Sequence, residues 1–97
     1  MIRHIVLMKW KENTPDQSVQ AVSDAFVRLP QMIPEIRSYQ FGPDLGIYPG
    51  NADYLLVADF DNQQDFKIYA SSRHHIALMK SVSMPIMESF QSAQFEI

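Results

Sequence analysis

Three histidines, His4, His74 and His75, are the residues of this 97-residue chain best suited to acid–base work near neutral pH, because a free imidazole titrates at about pH 6.5. A tyrosine hydroxyl near such a ring can bond the imidazole or polarise a carbonyl. Imidazole and hydroxyl together suit proton abstraction beside a carbonyl, followed by ring closure or bond cleavage. Cysteine is absent, which removes thiolate nucleophiles, disulfides and cysteine metal sites. No H-x-x-x-H or other compact ligand spacing points to a metal. Ser72 precedes His74 and His75 without the elbow that surrounds a serine nucleophile, and a helix cap suits Ser71 or Ser72 better. Gly42, Gly46 and Gly50 recur every four residues, but in a proline-bearing loop fit for a rim or a contact rather than a nucleotide cradle.

These side chains need elements to hold them. Ile2 to Trp10 reads as a strand with His4, Val6, Met8 and Trp10 on one face and Arg3, Ile5, Leu7 and Lys9 on the other. Thr14-Pro15-Asp16-Gln17 announces a helix, with Thr14 as N-cap, Pro15 at the first helical position and Gln17 completing a capping box. Val19, Val22, Phe26 and Leu29 follow as one apolar stripe, and Pro30 is expected to end the helix. A second strand runs from Ile36 to Phe41. Gly42 to Ala52 is a loop, and Tyr54 to Phe60 is a third strand. A helix begins at Asp61-Asn62, with Phe66, Tyr69 and Ala70 inward. After the break at Ser71-Ser72-Arg73, a further helical stretch runs from about His74 to Met84, where Pro85 limits it. Phe90 to Ile97 closes the chain as a fourth strand. Adjacent helical residues diverge by about 100°, so His74 is expected to face solvent when His75 faces inward.

The order βαββαβ predicts a single α+β domain over residues 1–97, a ferredoxin-like antiparallel four-stranded sheet with helices on one face. The other face carries Ile5, Leu7, Leu55, Val57, Ala93 and Phe95 and needs a cover. Burial of each large side chain there contributes roughly 1.5–3 kcal/mol. The simplest cover is a second copy of the chain, giving a homodimer through the sheet face.

Charge and composition narrow the function classes. The formal net charge is −3 and no long basic run occurs, which argues against nucleic-acid binding and polybasic membrane binding. No run of 18 apolar residues suggests a transmembrane helix. The amino-terminal apolar run, followed by Lys9 and Lys11, reads as a strand rather than a signal peptide. A cytoplasmic protein fits this composition.

The sequence resembles the stress-responsive A/B barrel domain proteins, a branch of the dimeric α+β barrel superfamily. The resemblance is carried by His4-Ile5-Val6-Leu7-Met8-Lys9-Trp10-Lys11, Pro34-Glu35-Ile36-Arg37-Ser38-Tyr39, Asp53-Tyr54, Ala58-Asp59-Phe60, Tyr69 and Ser72-Arg73-His74-His75. It spans essentially the whole chain. It implies a homodimeric barrel with a pocket inside each monomer, between sheet and helices. A plant polyketide cyclase of this family closes an aromatic ring in that pocket without metal or organic cofactor. By this resemblance His75 matches its general base, Tyr69 its hydrogen-bonding tyrosine and His4 a further pocket histidine. Two departures stand out: Ser72-Arg73-His74-His75 replaces the frequent His-Pro-Ala-His, and Leu56 replaces a pocket histidine.

The side chains expected to line a pocket are His4, Met8, Trp10, Leu56 and Met79, with His75 and Tyr69 as the catalytic candidates. Each also has a plainer reading. His75 can close a helix start on a backbone group, Tyr69 and Trp10 can be core aromatics, and Met79, Met84 and Met87 can be core packing. Three functions follow from these alternatives: a cofactor-free binder of a small hydrophobic or carbonyl-containing molecule, a cofactor-independent cyclase or lyase, or an assembly module. The scaffold alone does not choose among them.

Overall fold

Alternate residues of β1 (Ile2–Trp10) go to opposite sides of a sheet. His4 and Met8 are buried beneath helices, whereas Leu7 on the other side is 42% exposed. The computed structural model describes residues 1–97. After β1 come α1 (Asp16–Met32), β2 (Ser38–Pro43), β3 (Tyr54–Phe60), α2 (Gln63–Ser71), α3 (Arg73–Leu78) and β4 (Met87–Glu96). The strands form one antiparallel sheet in the order β2-β3-β1-β4. This is the ferredoxin-like α+β architecture expected from the element order, with each helical crossover returning over the same face.

The core lies between that face and the helices. Val22 and Leu29 of α1 and Tyr54, Ala58 and Phe60 of β3 are fully buried. Tyr39 and Phe41 of β2 pack on Phe26 with ring centroids 6.0 and 5.4 Å away. The opposite face carries Ile5, Leu55 and Val57, half-buried, beside the exposed Leu7 and Phe95. At one end of that face Arg3 grips Asp59 across the β1–β3 ladder with bonds of 2.8 and 3.0 Å. The guanidinium holds the Asp59 carboxyl below the usual carboxylate range.

The helix ends depart from the local sequence signals. The Thr14 hydroxyl donates to the Lys11 carbonyl at 2.6 Å. It tightens the β1–α1 turn instead of capping, and Pro15 occupies the N-cap position without a side-chain cap. Pro30 lies inside α1, which continues to Met32. Proline's fixed φ suits a helix, and so near the end its missing N–H costs one ladder bond. The Ile33 N–H still closes on the Leu29 carbonyl at 2.9 Å, and the burial of both side chains, at 0% and 2% exposure, favours that continuation. In α2 the Asn62 side chain accepts from the Asp65 N–H at 2.9 Å, the cap expected near Asp61-Asn62.

The last helical stretch is not one α-helix. After Leu78 the backbone widens into a π-helical turn, Met79–Ser83, and then tightens into a 3₁₀ turn, Met84–Ile86. Pro85 sits within that final turn, and β4 starts at Met87, three residues before the expected Phe90. Such π turns often occur where a helix shapes a functional site.

Candidate functional site

The helices leave part of the sheet uncovered near β4. Apart from half-buried Met87, every residue of this edge strand is exposed. A cavity of about 340 Å³ opens there. Its floor comes from β1, β3 and β4, and its walls come from α1, α2, α3 and the turns that follow. Val6, Met8, Phe26, Leu56, Phe66 and Met79 make most of its surface apolar. Met84 and Phe90, 51% and 57% exposed, lie on its open side. The polar residues on its lining are His4, Tyr69, His75, Ser83 and Ser92.

His4 enters from the sheet. Its ring lies 4.9 Å from Phe66 and 6.1 Å from Tyr69, centroid to centroid. Its Nδ1 is 2.9 Å from Nε2 of Gln94, the residue directly opposite on β4. Burial, followed by the nearby His75, pushes the His4 pKa down to about 4. The imidazole is therefore neutral at neutral pH.

His75 enters from α3. Ser72 caps this helix by accepting the His74 N–H at 3.3 Å, and the tight α2–α3 corner brings the His75 ring onto Tyr69, 4.4 Å between centroids. Its Nδ1 lies 3.2 Å from the Ala70 carbonyl oxygen. Burial lowers the His75 pKa, and the Ala70 carbonyl partly opposes that shift. The contact with a backbone carbonyl is the plainer role foreseen for this histidine, and it coexists with a place on the cavity wall. His74 is half-buried rather than fully in solvent and lies outside the cavity lining.

Tyr69 is 2% exposed and sits among Phe60, Phe66, His4 and His75. Its hydroxyl shares a 2.7 Å hydrogen bond with that of Tyr39. Burial raises its pKa to about 12 and raises that of Tyr39 further, so both stay protonated near neutral pH. A hydroxyl pair joined by one bond leaves one of the two hydrogens free for another acceptor.

The structure thus brings His4, Met8, Leu56, Tyr69, His75 and Met79 to one cavity. Trp10 is not among them. It lies half-buried farther along β1 and packs on Tyr54 at 5.5 Å, while its backbone N–H donates to the Asp53 carboxylate at 2.8 Å. Three or more histidine, aspartate or glutamate side chains converge nowhere as a metal-binding group. Phe66, expected to face inward from its helix, also borders the cavity, and Gln94, which no motif singles out, contacts His4. Only the β1–β4 register shows that Gln94 stands opposite His4.

Comparison with known proteins extends these observations. The sequence profile of the stress responsive A/B barrel domain matches residues 2–97. No curated protein matches the chain in sequence. Among solved structures, a dimeric ferredoxin-like protein of unknown function from Thermobifida fusca is 35% identical, with a TM-score of 0.90 over 99% of this chain and 90% of that one. A dimeric ferredoxin-like protein from Bacteroides fragilis is 29% identical, with a TM-score of 0.83 over 99% and 95%. A hydroxynitrile lyase from Passiflora edulis is 20% identical, with a TM-score of 0.86 over 99% and 92%, and shares the fold.

Proposed function

The chain belongs to the stress responsive A/B barrel domain family, and from that premise we propose that it acts as a homodimer whose protomers each hold a small, neutral, hydrophobic or carbonyl-containing molecule in the cavity between sheet and helices. The observation that carries this reading is the cavity itself. About 340 Å³ of mostly apolar space surrounds a few hydrogen-bonding groups and no charged side chain. Ligand sites commonly have this make-up at about 300–1,000 Å³, and the small end of that range suits a single-ring molecule better than a long lipid. With the imidazoles of His4 and His75 neutral and no lysine or arginine on the lining, an anion would find no charge to pair with there.

The dimer follows from the bare sheet face. Leu7 and Phe95 are 42% and 50% exposed there, and contiguous apolar surface of this kind favours a partner. A second copy is the occupant we assign, because the solved relatives at 35% and 29% identity are dimeric.

A second reading, cofactor-independent lyase or cyclase chemistry, is favoured by the His75–Tyr69 contact. His75 would serve as general base and Tyr69 as hydrogen-bond donor to the substrate carbonyl. A lyase built on the same fold supports the scaffold's fitness for such chemistry, not the identity of the substrate.

Acetophenone, a neutral aromatic ketone, probes both readings. Two-dimensional NMR titration should show shifts confined to cavity residues in the wild type and none in Met79→Trp, which fills the space. Equal binding by both would move the ligand site elsewhere. Exchange of the ketone's methyl protons into D₂O should run faster with wild type than with His75→Ala. Equal rates, with both proteins folded and occupied, would remove the base assignment and leave the binding role.

A further inference from the structure

The two cavity histidines are wired oppositely. On the sheet side, His4 Nδ1 meets the Gln94 side-chain nitrogen at 2.9 Å. A carboxamide nitrogen only donates, so Nδ1 accepts and the neutral ring carries its hydrogen on Nε2. On the helix side, His75 Nδ1 meets the Ala70 carbonyl oxygen at 3.2 Å. A carbonyl oxygen only accepts, so Nδ1 carries the hydrogen and Nε2 keeps a lone pair. Neither Nε2 has a partner in the protein, and no fully buried side-chain nitrogen or oxygen is left unpaired. Both Nε2 atoms therefore reach accessible space, and the two rings line the same cavity. Tyr69 is a neighbour of both, with ring centroids 6.1 Å from His4 and 4.4 Å from His75.

We propose that Gln94 is a positioning residue that holds His4 as an N–H donor, so that the cavity offers one lone pair, from His75, and one N–H donor, from His4, to the same ligand. This deepens the cavity reading above and rests on it. The ligand class it selects is a neutral molecule bearing an acidic C–H or O–H next to a carbonyl-type oxygen. In a proton-transfer step the C–H proton goes to His75 Nε2. The electron pair left behind forms an enolate, whose oxygen is held by the His4 N–H beside the Tyr69 hydroxyl. Return of the same proton from the His75 imidazolium to the product restores both rings. Two donors aimed at the developing oxyanion, with a base across from them, form the arrangement that lowers the barrier to such a step. Swapping the tautomer of His4 would face a lone pair with the ligand's own oxygen and repel it.

Long-range ¹H–¹⁵N NMR of uniformly labelled protein near neutral pH reads the tautomers directly and needs no ligand. The wild type should show His4 protonated at Nε2 and His75 protonated at Nδ1. Gln94→Glu puts a carboxylate, which only accepts, against His4 Nδ1 and should move the His4 hydrogen to Nδ1 while His75 stays unchanged. Gln94→Leu should leave His4 as a mixture. Because Gln94 is exposed on an edge strand, both variants should keep the wild-type backbone spectrum. A wild-type His4 protonated at Nδ1, or a His4 tautomer indifferent to both substitutions, would overturn the assignment. Acetophenone should then bind Gln94→Glu about tenfold more weakly than wild type, the loss expected when one hydrogen bond to the ligand is replaced by repulsion. Equal affinity would overturn the donor role of His4. Failure of acetophenone to bind even the wild type, with the tautomers as assigned, would count against the cavity reading and leave the Gln94–His4 assignment standing.

Discussion

Replacing His4 by phenylalanine should flatten the acid dependence of stability. In the folded chain His4 titrates at about 4, because burial and the neighbouring His75 disfavour its charged form. In the unfolded chain it titrates at about 6.5. Between those values the unfolded state binds the extra proton, so this histidine's contribution to stability is intact above about pH 6.5 and is lost as pH falls toward 4. At about 1.4 kcal/mol per pH unit, the gap sets an upper bound near 3.5 kcal/mol. Solvent reaches the ring through the open cavity, and an allowance for that screening leaves about 2 kcal/mol lost between about pH 7 and pH 4.5. His4→Phe retains an aromatic ring against Phe66 and removes the titration. Urea unfolding followed by Trp10 fluorescence, at one fixed protein concentration because association shifts apparent stability, measures both proteins across this range. The carboxylates of Asp59 and Asp61, held down by Arg3 and Arg37, titrate in both and cancel in the difference. The wild type should lose about 2 kcal/mol more than the variant. Parallel curves would mean that His4 is not held neutral by its surroundings.

Two further substitutions test other parts of the account. Leu7→Asp puts a charge in the middle of the proposed sheet-to-sheet contact, where an unpaired buried charge is strongly destabilising, about 3–5 kcal/mol. Sedimentation at low micromolar concentration should find it monomeric and the wild type dimeric, and a dimeric variant would place the contact elsewhere. Tyr39→Phe removes the hydroxyl that Tyr69 bonds and should cost about 1 kcal/mol in urea unfolding. It should also slow ketone proton exchange without abolishing it, whereas unchanged stability and exchange would show that the pair does not position Tyr69.

Much of the architecture was legible because one face of each central strand is buried. The period of two along β1 and β3 assigns His4, Met8, Leu56 and Ala58 to the helix side, and a slip of one residue would turn that whole set outward. The element order and the Val22–Phe26–Leu29 stripe followed from the same logic. Local signals failed where a longer-range contact outweighed them. Thr14 found the Lys11 carbonyl instead of a helix N–H, and Pro30 stayed helical because Leu29 and Ile33 are anchored in the core. In the site, periodicity put His4, Met8 and Trp10 on the inner face but could not show that the cavity reaches Met8 and stops short of Trp10. The Gln94–His4 contact joins residues 90 positions apart and depends on the β1–β4 register, which no short sequence window encodes.

A crystal structure of the protein soaked in millimolar acetophenone tests the central claim most directly. The account predicts the aromatic ring among Phe66, Met79 and Leu56, with the ketone oxygen within about 3.2 Å of His4 Nε2 and the methyl carbon turned toward His75 Nε2. Ligand density found only outside the cavity, with His4 and His75 in the positions described, would contradict it.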